Sequence, residues 1–363
     1  MRLSDAATRC RLLWERTASQ SLRGGLEKPV SPETELSVFP NPRLDPRPDD
    51  PGMSREREVE AVDLAASLGL RGLFKPAAWD QLEPSPGHFT VDWFADEVRY
   101  LAGRGFSLLF TIQVIDTMQR RVPADLLSTR FNSFRMLRRF RALLDRLLPC
   151  LGPRVKYLSI GNEVDPYLEH SGQWKSYRGF LRAAISYLHS RAPWIQVGTC
   201  CTFSGATCGS VHGVALLNKE TDIYIATYYP FAEPFDPRYT LRSPASPLAD
   251  FPRLIALANG KPVVLQEVGY PATPLLSSET AQADFVRNVF AAWRSTSSAI
   301  PFLSFFPMHD FPPELFEGAG DYYKDPDNER LRAFISSVGL RKLDGTPRPS
   351  WSQFVAGATA LRP

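Results

Sequence analysis

The residues best equipped for chemistry in this chain are two glutamates, each closing an apolar run of strand length. One run is Tyr157-Leu158-Ser159-Ile160-Gly161-Asn162-Glu163. The other is Pro262-Val263-Val264-Leu265-Gln266-Glu267-Val268-Gly269-Tyr270. Buried parallel strands read as continuous Val/Ile/Leu stretches, and an ionisable group at the end of such a run is costly unless it is paired or used. Two carboxyls meeting in a cleft can protonate a glycosidic oxygen and attack an anomeric carbon, the equipment of glycoside hydrolysis. The strands of a closed parallel barrel would deliver both to one face, where loops build active sites.

The elements needed to position them alternate along the chain. Strand-like runs fall at Leu36–Phe39, Arg71–Lys75, Phe106–Ile112, the first glutamate run, Ile195–Thr199, Asp222–Thr227, the second glutamate run and Ile300–Phe306. Between them lie helical spacings. Ser54 can cap a helix carrying Val59, Val62 and Ala66 that ends at Gly69. Further helices carry Phe94, Val98 and Leu101; Phe134, Leu137, Phe140, Leu144 and Leu147; Phe180, Ala184 and Leu188; Leu254 to Ala258; and Phe285, Val289 and Ala292. Eight alternating units predict an α/β fold, a single (β/α)8 TIM barrel over residues 31–363, with residues 1–30 as an N-terminal extension. A doubly wound open sheet would need a glycine-rich phosphate loop after a strand, and none follows any of these runs.

Asn162-Glu163 ending the fourth strand and Glu267 ending the seventh resemble the large superfamily of retaining glycoside hydrolases with (β/α)8 barrels, often called clan A. Other segments fit in order. Trp79-Asp80-Gln81-Leu82-Glu83-Pro84-Ser85-Pro86-Gly87-His88-Phe89 is similar to a segment after strand two. Tyr228-Tyr229-Pro230-Phe231 and Glu267-Val268-Gly269-Tyr270-Pro271 resemble the endo-galactanase-like and cellulase-like branches, and Gly339 to Trp351 is similar to a common closing segment. Together these span Leu36 to Phe354.

The resemblance implies a glycoside hydrolase acting on β-linked sugars, with Glu267 as nucleophile, Glu163 as acid/base and no metal or cofactor. It further implies that Asn162 bonds the sugar 2-hydroxyl. Tyr229, or Tyr228 in its place, would hydrogen-bond the nucleophile. Trp79, Trp174 and Tyr167 are candidate sugar-stacking rings; Gln113, Asp116, His309 and Asp310 stand at other strand ends and could bind hydroxyls. The superfamily usually places a tryptophan floor on strand eight; here the aligned position holds Phe305. The alternative expectation is a non-hydrolytic carbohydrate-binding barrel derived from the same fold. A sugar-phosphate isomerase or aldolase would need a basic phosphate cradle after strands seven and eight, which Gly269-Tyr270-Pro271 and Pro307-Met308-His309 do not offer.

Bulk properties narrow the field. A formal charge of +3 over 363 residues predicts neither nucleic-acid nor membrane binding, and no apolar run approaches the ~20 residues of a membrane helix. The arginines of the helix Arg135, Arg138, Arg139, Arg141 and Arg146 lie opposite its Phe/Leu stripe, as on an outer barrel helix. Met1-Arg2-Leu3-Ser4-Asp5-Ala6 lacks the basic start and apolar core of a signal peptide, so the sequence as written points to the cytoplasm; a different start would leave secretion open. The five cysteines show no metal-ligand spacing. They read as small buried hydrophobes, with a bridge from Cys208 to Cys200 or Cys201 as the alternative. The sugar, endo or exo action and the oligomeric state are left open.

Overall fold

In the computed structural model the described residues are 34–44, 55–233, 238–312 and 328–361. The expected extension at residues 1–30 lies outside them. Eight parallel barrel strands are present: β1 Glu35–Val38, β2 Gly72–Ala78, β3 Ser107–Asp116, β4 Val155–Asn162, β5 in two pieces, Gln196–Gly198 and Cys200–Thr202, β6 Tyr224–Tyr228, β7 Val263–Val268 and β8 Phe302–Phe305. Each sits on an expected run except the second piece of β5, which falls just past Ile195–Thr199; a Val/Ile/Leu stretch buried on both sides has no other stable place.

The strands form two ladders. One runs β1-β8-β7-β6 and the second piece of β5; the other runs β2-β3-β4 and the first piece of β5. The break at Thr199 lets one strand serve both ladders. At the opposite seam β2 meets β1 and β8 closely: a Cβ at Gly72 would lie 2.8 Å from Phe302 and 3.2 Å from Cβ of Glu35. Only glycine permits that approach.

Alternate side chains fill the barrel. Phe74, Leu109, Tyr157, Cys200, Ile225, Val264 and Phe302 form an apolar plug inside. One layer further along each strand the interior turns polar, with Ser37 bonded to Ser304 and Thr111 to Gln266. The opposite faces of the strands pack against helices, including Asp92–Gly103, Phe134–Leu147, Trp174–Arg191, Pro247–Ala258, Glu279–Thr296 and Pro349–Thr359. On Phe134–Leu147 the buried stripe is Met136, Phe140, Leu143, Leu144 and Leu147. Phe134 itself is exposed, because the cap at Ser133 starts the helix with its first residue turned to solvent.

Cys200 and Cys201 are free, buried thiols. Consecutive on one strand, the first faces the barrel interior and the second the helices. A bridge from Cys208 to either is therefore not formed.

Candidate active site

Both glutamates reach the C-terminal mouth of the barrel, and each does so through a local departure from strand geometry. β4 stops at Asn162. Gly161 has φ 89°, and a Cβ there would meet Val164 at 2.4 Å and the Tyr177 hydroxyl at 2.7 Å. Glu163 follows at φ 43°, the left-handed region that residues with a Cβ seldom enter. This turn brings two consecutive side chains, Asn162 and Glu163, to the mouth.

β7 solves the same problem with a bulge. Leu265 pairs with Ala226 and Glu267 with the next residue, Thr227; on the other side Leu265 and Val268 pair with Leu303 and Phe305. One extra residue on β7 re-aims the chain. Gln266 points into the barrel, accepting from Thr111 Oγ1 at 2.7 Å and donating to Asn162 Oδ1 at 2.6 Å. Ordinary alternation would then turn Glu267 outward; the bulge turns it to the mouth instead.

There the two carboxyls line one cavity of about 520 Å3. Thr117 Oγ1 donates to Glu163 Oε2 at 2.9 Å, and Thr227 Oγ1 donates to Oε1 at 2.7 Å. Tyr229 Oη donates to Glu267 Oε2 at 2.8 Å. Burial pushes the Glu163 carboxyl upward against its two hydroxyl donors, and the charge of Asp116 adds to the rise. Burial first, then the charge of Glu163, push Glu267 up to about 8, with Tyr229 pulling the other way. Both carboxyls are therefore raised from the ordinary carboxylate range. Among the described residues no lysine or arginine ion-pairs with either glutamate.

Met118, Pro166, Glu169, His170 and the turn Thr202-Phe203-Ser204 complete one side of the cavity. Phe231, Tyr239, Phe306, Leu331, Phe334 and Val338 form the other, which is largely apolar. Among the described residues no group of three or more His, Cys, Asp or Glu side chains is placed to hold a metal ion.

Several expected site residues do other work. Trp79 is fully buried; its indole donates to Glu83 at 2.9 Å, and Glu83 in turn holds Arg139 and the amide of Gly87. Trp79 is thus part of a structural brace rather than a sugar-stacking ring. Asn162 bridges Gln266 and Asp116 rather than lining the cavity. Gln113 pairs alongside Ala78 on β3, outside the lining. Phe305 faces outward, against Phe290 and Phe354. Phe306 is the ring at the cavity, next to Phe39 and Phe74.

His309 is buried against Asn41, and burial drives its pKa down to about 4, so it is a neutral structural group. Asp310 is forked by Arg348. Tyr167 packs on Phe131 and Trp174 against Gly213. Tyr228 turns outward to Asp250, leaving Tyr229 as the tyrosine on Glu267. Thr117 and Thr227 are not singled out as site residues from sequence, and Phe306 is only the next candidate for the strand-eight floor after Phe305. For Thr227 and Phe306 a signal existed: counting in twos from the plug residues Ile225 and Phe302 leads to each.

No family model matches the sequence, and no curated protein matches it significantly. Solved structures do. A GH5_18 protein from Streptomyces cattleya in complex with Manβ1-4GlcNAc is 17% identical with TM-score 0.69, covering 90% of this chain and 80% of that chain. The likeness shows the fold: a (β/α)8 barrel shared with these structures. A GH5_18 protein from Bifidobacterium longum subsp. longum, also in complex with Manβ1-4GlcNAc, is 17% identical with TM-score 0.65, covering 90% of this chain and 78% of that one. The exo-β-1,4-mannosidase Op5Man5 from an Opitutaceae bacterium is 18% identical with TM-score 0.69; 90% of this chain is matched, over 59% of that protein.

Proposed function

We propose that this chain is a retaining glycoside hydrolase that cleaves β-linked sugars through a covalent glycosyl-enzyme intermediate. The observation that carries the reading is the pair Glu163 and Glu267, lining one cavity with no lysine or arginine on either among the described residues. Glu267, as the carboxylate accepting from the Tyr229 hydroxyl, attacks the anomeric carbon in the reacting state, in which the proton of the pair sits on Glu163. Glu163 protonates the leaving oxygen. Formation of the ester removes the charge of Glu267, so Glu163 acidifies and takes a proton from the water that releases the sugar. A non-hydrolytic binding barrel would be favoured by a fixed arginine on either carboxyl, and neither has one among the described residues.

The test is a panel of aryl β-glycosides, headed by β-mannosides because the neighbours include an exo-β-mannosidase and proteins holding Manβ1-4GlcNAc. On poorly activated substrates Glu163→Ala should lose roughly 100- to 10,000-fold in kcat. With activated leaving groups azide should restore its turnover and give the β-glycosyl azide. For Glu267→Ala the rescued product should be the α-azide. Full activity of Glu163→Ala on unactivated substrates, or the opposite anomers, would reject the assignment.

A further inference from the structure

Building on the reading of Glu163 as acid/base, we propose that Thr117 and Thr227 are positioning residues. They clamp its carboxyl with two hydroxyls and tilt it toward acting as a base. Each carboxyl oxygen has its own donor, Thr117 at Oε2 and Thr227 at Oε1. A carboxyl torsion is otherwise broad; here rotation would break both bonds. The donors come from different elements, the turn after β3 and the end of β6, so the clamp spans the barrel mouth.

Thr117 shows that the arrangement is enforced. Its φ is 48°, a conformation that a β-branched residue keeps only when its surroundings impose it. The surroundings are visible: its amide donates to Asn162 O at 3.0 Å, and its carbonyl accepts from the amide of Tyr167 at 3.2 Å. Two strained residues, Thr117 and Glu163, thus face each other across a single hydrogen bond.

Hydroxyl donors favour the carboxylate. For Glu163 to carry a proton, one threonine must release it or turn its hydroxyl to accept. Burial and the charge of Asp116 on β3 press the other way, toward a neutral Glu163, while Asp165 on the following helix and Glu267 on β7 are themselves raised by the charge of Glu163. Cys200 and Cys201 on β5 are thiols kept neutral by burial, and Glu169 and His170 stand at the cavity edge. The clamp therefore opposes the first step, in which Glu163 gives its proton to the leaving oxygen. It assists the second. There the water proton passes to Glu163, the water oxygen bonds to the anomeric carbon, and the ester bond to Glu267 breaks.

Thr227→Val and Thr117→Val remove each hydroxyl and keep the shape, and either alone carries the test should the other not fold. The alkaline limb of kcat/KM on an unactivated β-glycoside should rise by about one pH unit, since lost donors raise the pKa of the acid. On a dinitrophenyl glycoside, limited by release of the sugar, kcat should fall several-fold, and Thr227→Ser should restore both values. Equal losses on both substrates with an unmoved limb overturn the clamp. A second measurement needs no turnover: with Glu267→Gln as background, 13C-glutamate NMR should show the Glu163 midpoint rising when Thr227→Val is added, and an unmoved midpoint overturns the proposal. A midpoint that moves in a protein cleaving no glycoside would instead sink the hydrolase reading and leave the clamp standing.

Discussion

Single side chains at this site are governed by what donates to them. Tyr229 Oη is the hydroxyl on Glu267. Its loss in Tyr229→Phe should raise the pKa of Glu267, the proposed nucleophile, so the acid limb of kcat/KM should move upward by about half to one unit while kcat falls several-fold. A pH profile checks this, and an unmoved acid limb would remove Tyr229 from the role. Trp79 belongs to the opposite category. Trp79→Phe leaves the buried Glu83 without its indole donor, so stability should drop by about 1–3 kcal/mol with KM unchanged, as read from denaturant midpoints and kinetics. The two glutamates were legible from sequence because a charge at the end of an apolar run is conspicuous. Trp79, His309 and Asp310 were misleading because a polar or aromatic residue near a strand end looks alike whether it faces a ligand or a buried partner. Glu83 and Arg348 stand inside singled-out segments and Asn41 does not, but nothing in the sequence pairs Trp79, Asp310 or His309 with them.

At the level of elements, the number and order of the barrel strands could be read from runs and helical spacings. Which face each residue takes was harder, because one bulge or one left-handed residue resets the alternation. Strand eight illustrates this. Alignment on a family pattern chose Phe305, whereas alternation from Phe302 selects Ser304 and then Phe306 for the interior. Phe305→Ala should therefore cost about 3–5 kcal/mol of stability as a core truncation and leave KM intact. Phe306→Ala should raise KM in a folded protein. Finding the reverse would restore Phe305 as the floor. β4 depends on a different device. Gly161→Ala places a methyl within 2.4 Å of Val164 at a φ of 89°; the turn that presents Glu163 should distort, with Tm and activity falling together.

Across the whole molecule, the buried acids give folding an unusual pH dependence. Burial raises Asp165 to about 7 and Glu267 to about 8. A raised folded pKa means stability that is complete below the unfolded pKa and lost as pH climbs to the folded one. His309, held near 4, works in the opposite sense, but only as pH falls below its unfolded value of 6.5. From pH 6.5 to 8 the carboxyls act alone, so Tm should decline with rising pH. Glu267→Gln should be more stable than the parent, by a margin that grows up to about pH 8 and then levels; a constant margin would contradict the raised pKa. The pairing of β1 with β8 carries a different consequence, one of timing. Asn41 and His309, locked together just beyond those strands, are 268 residues apart. At roughly 5–20 residues per second of synthesis, β1 leaves the ribosome about 15–50 s before its neighbour exists. Until then the first ladder of the barrel waits with an open edge, which makes the nascent chain's vulnerability to proteases and chaperone dependence a property of its topology.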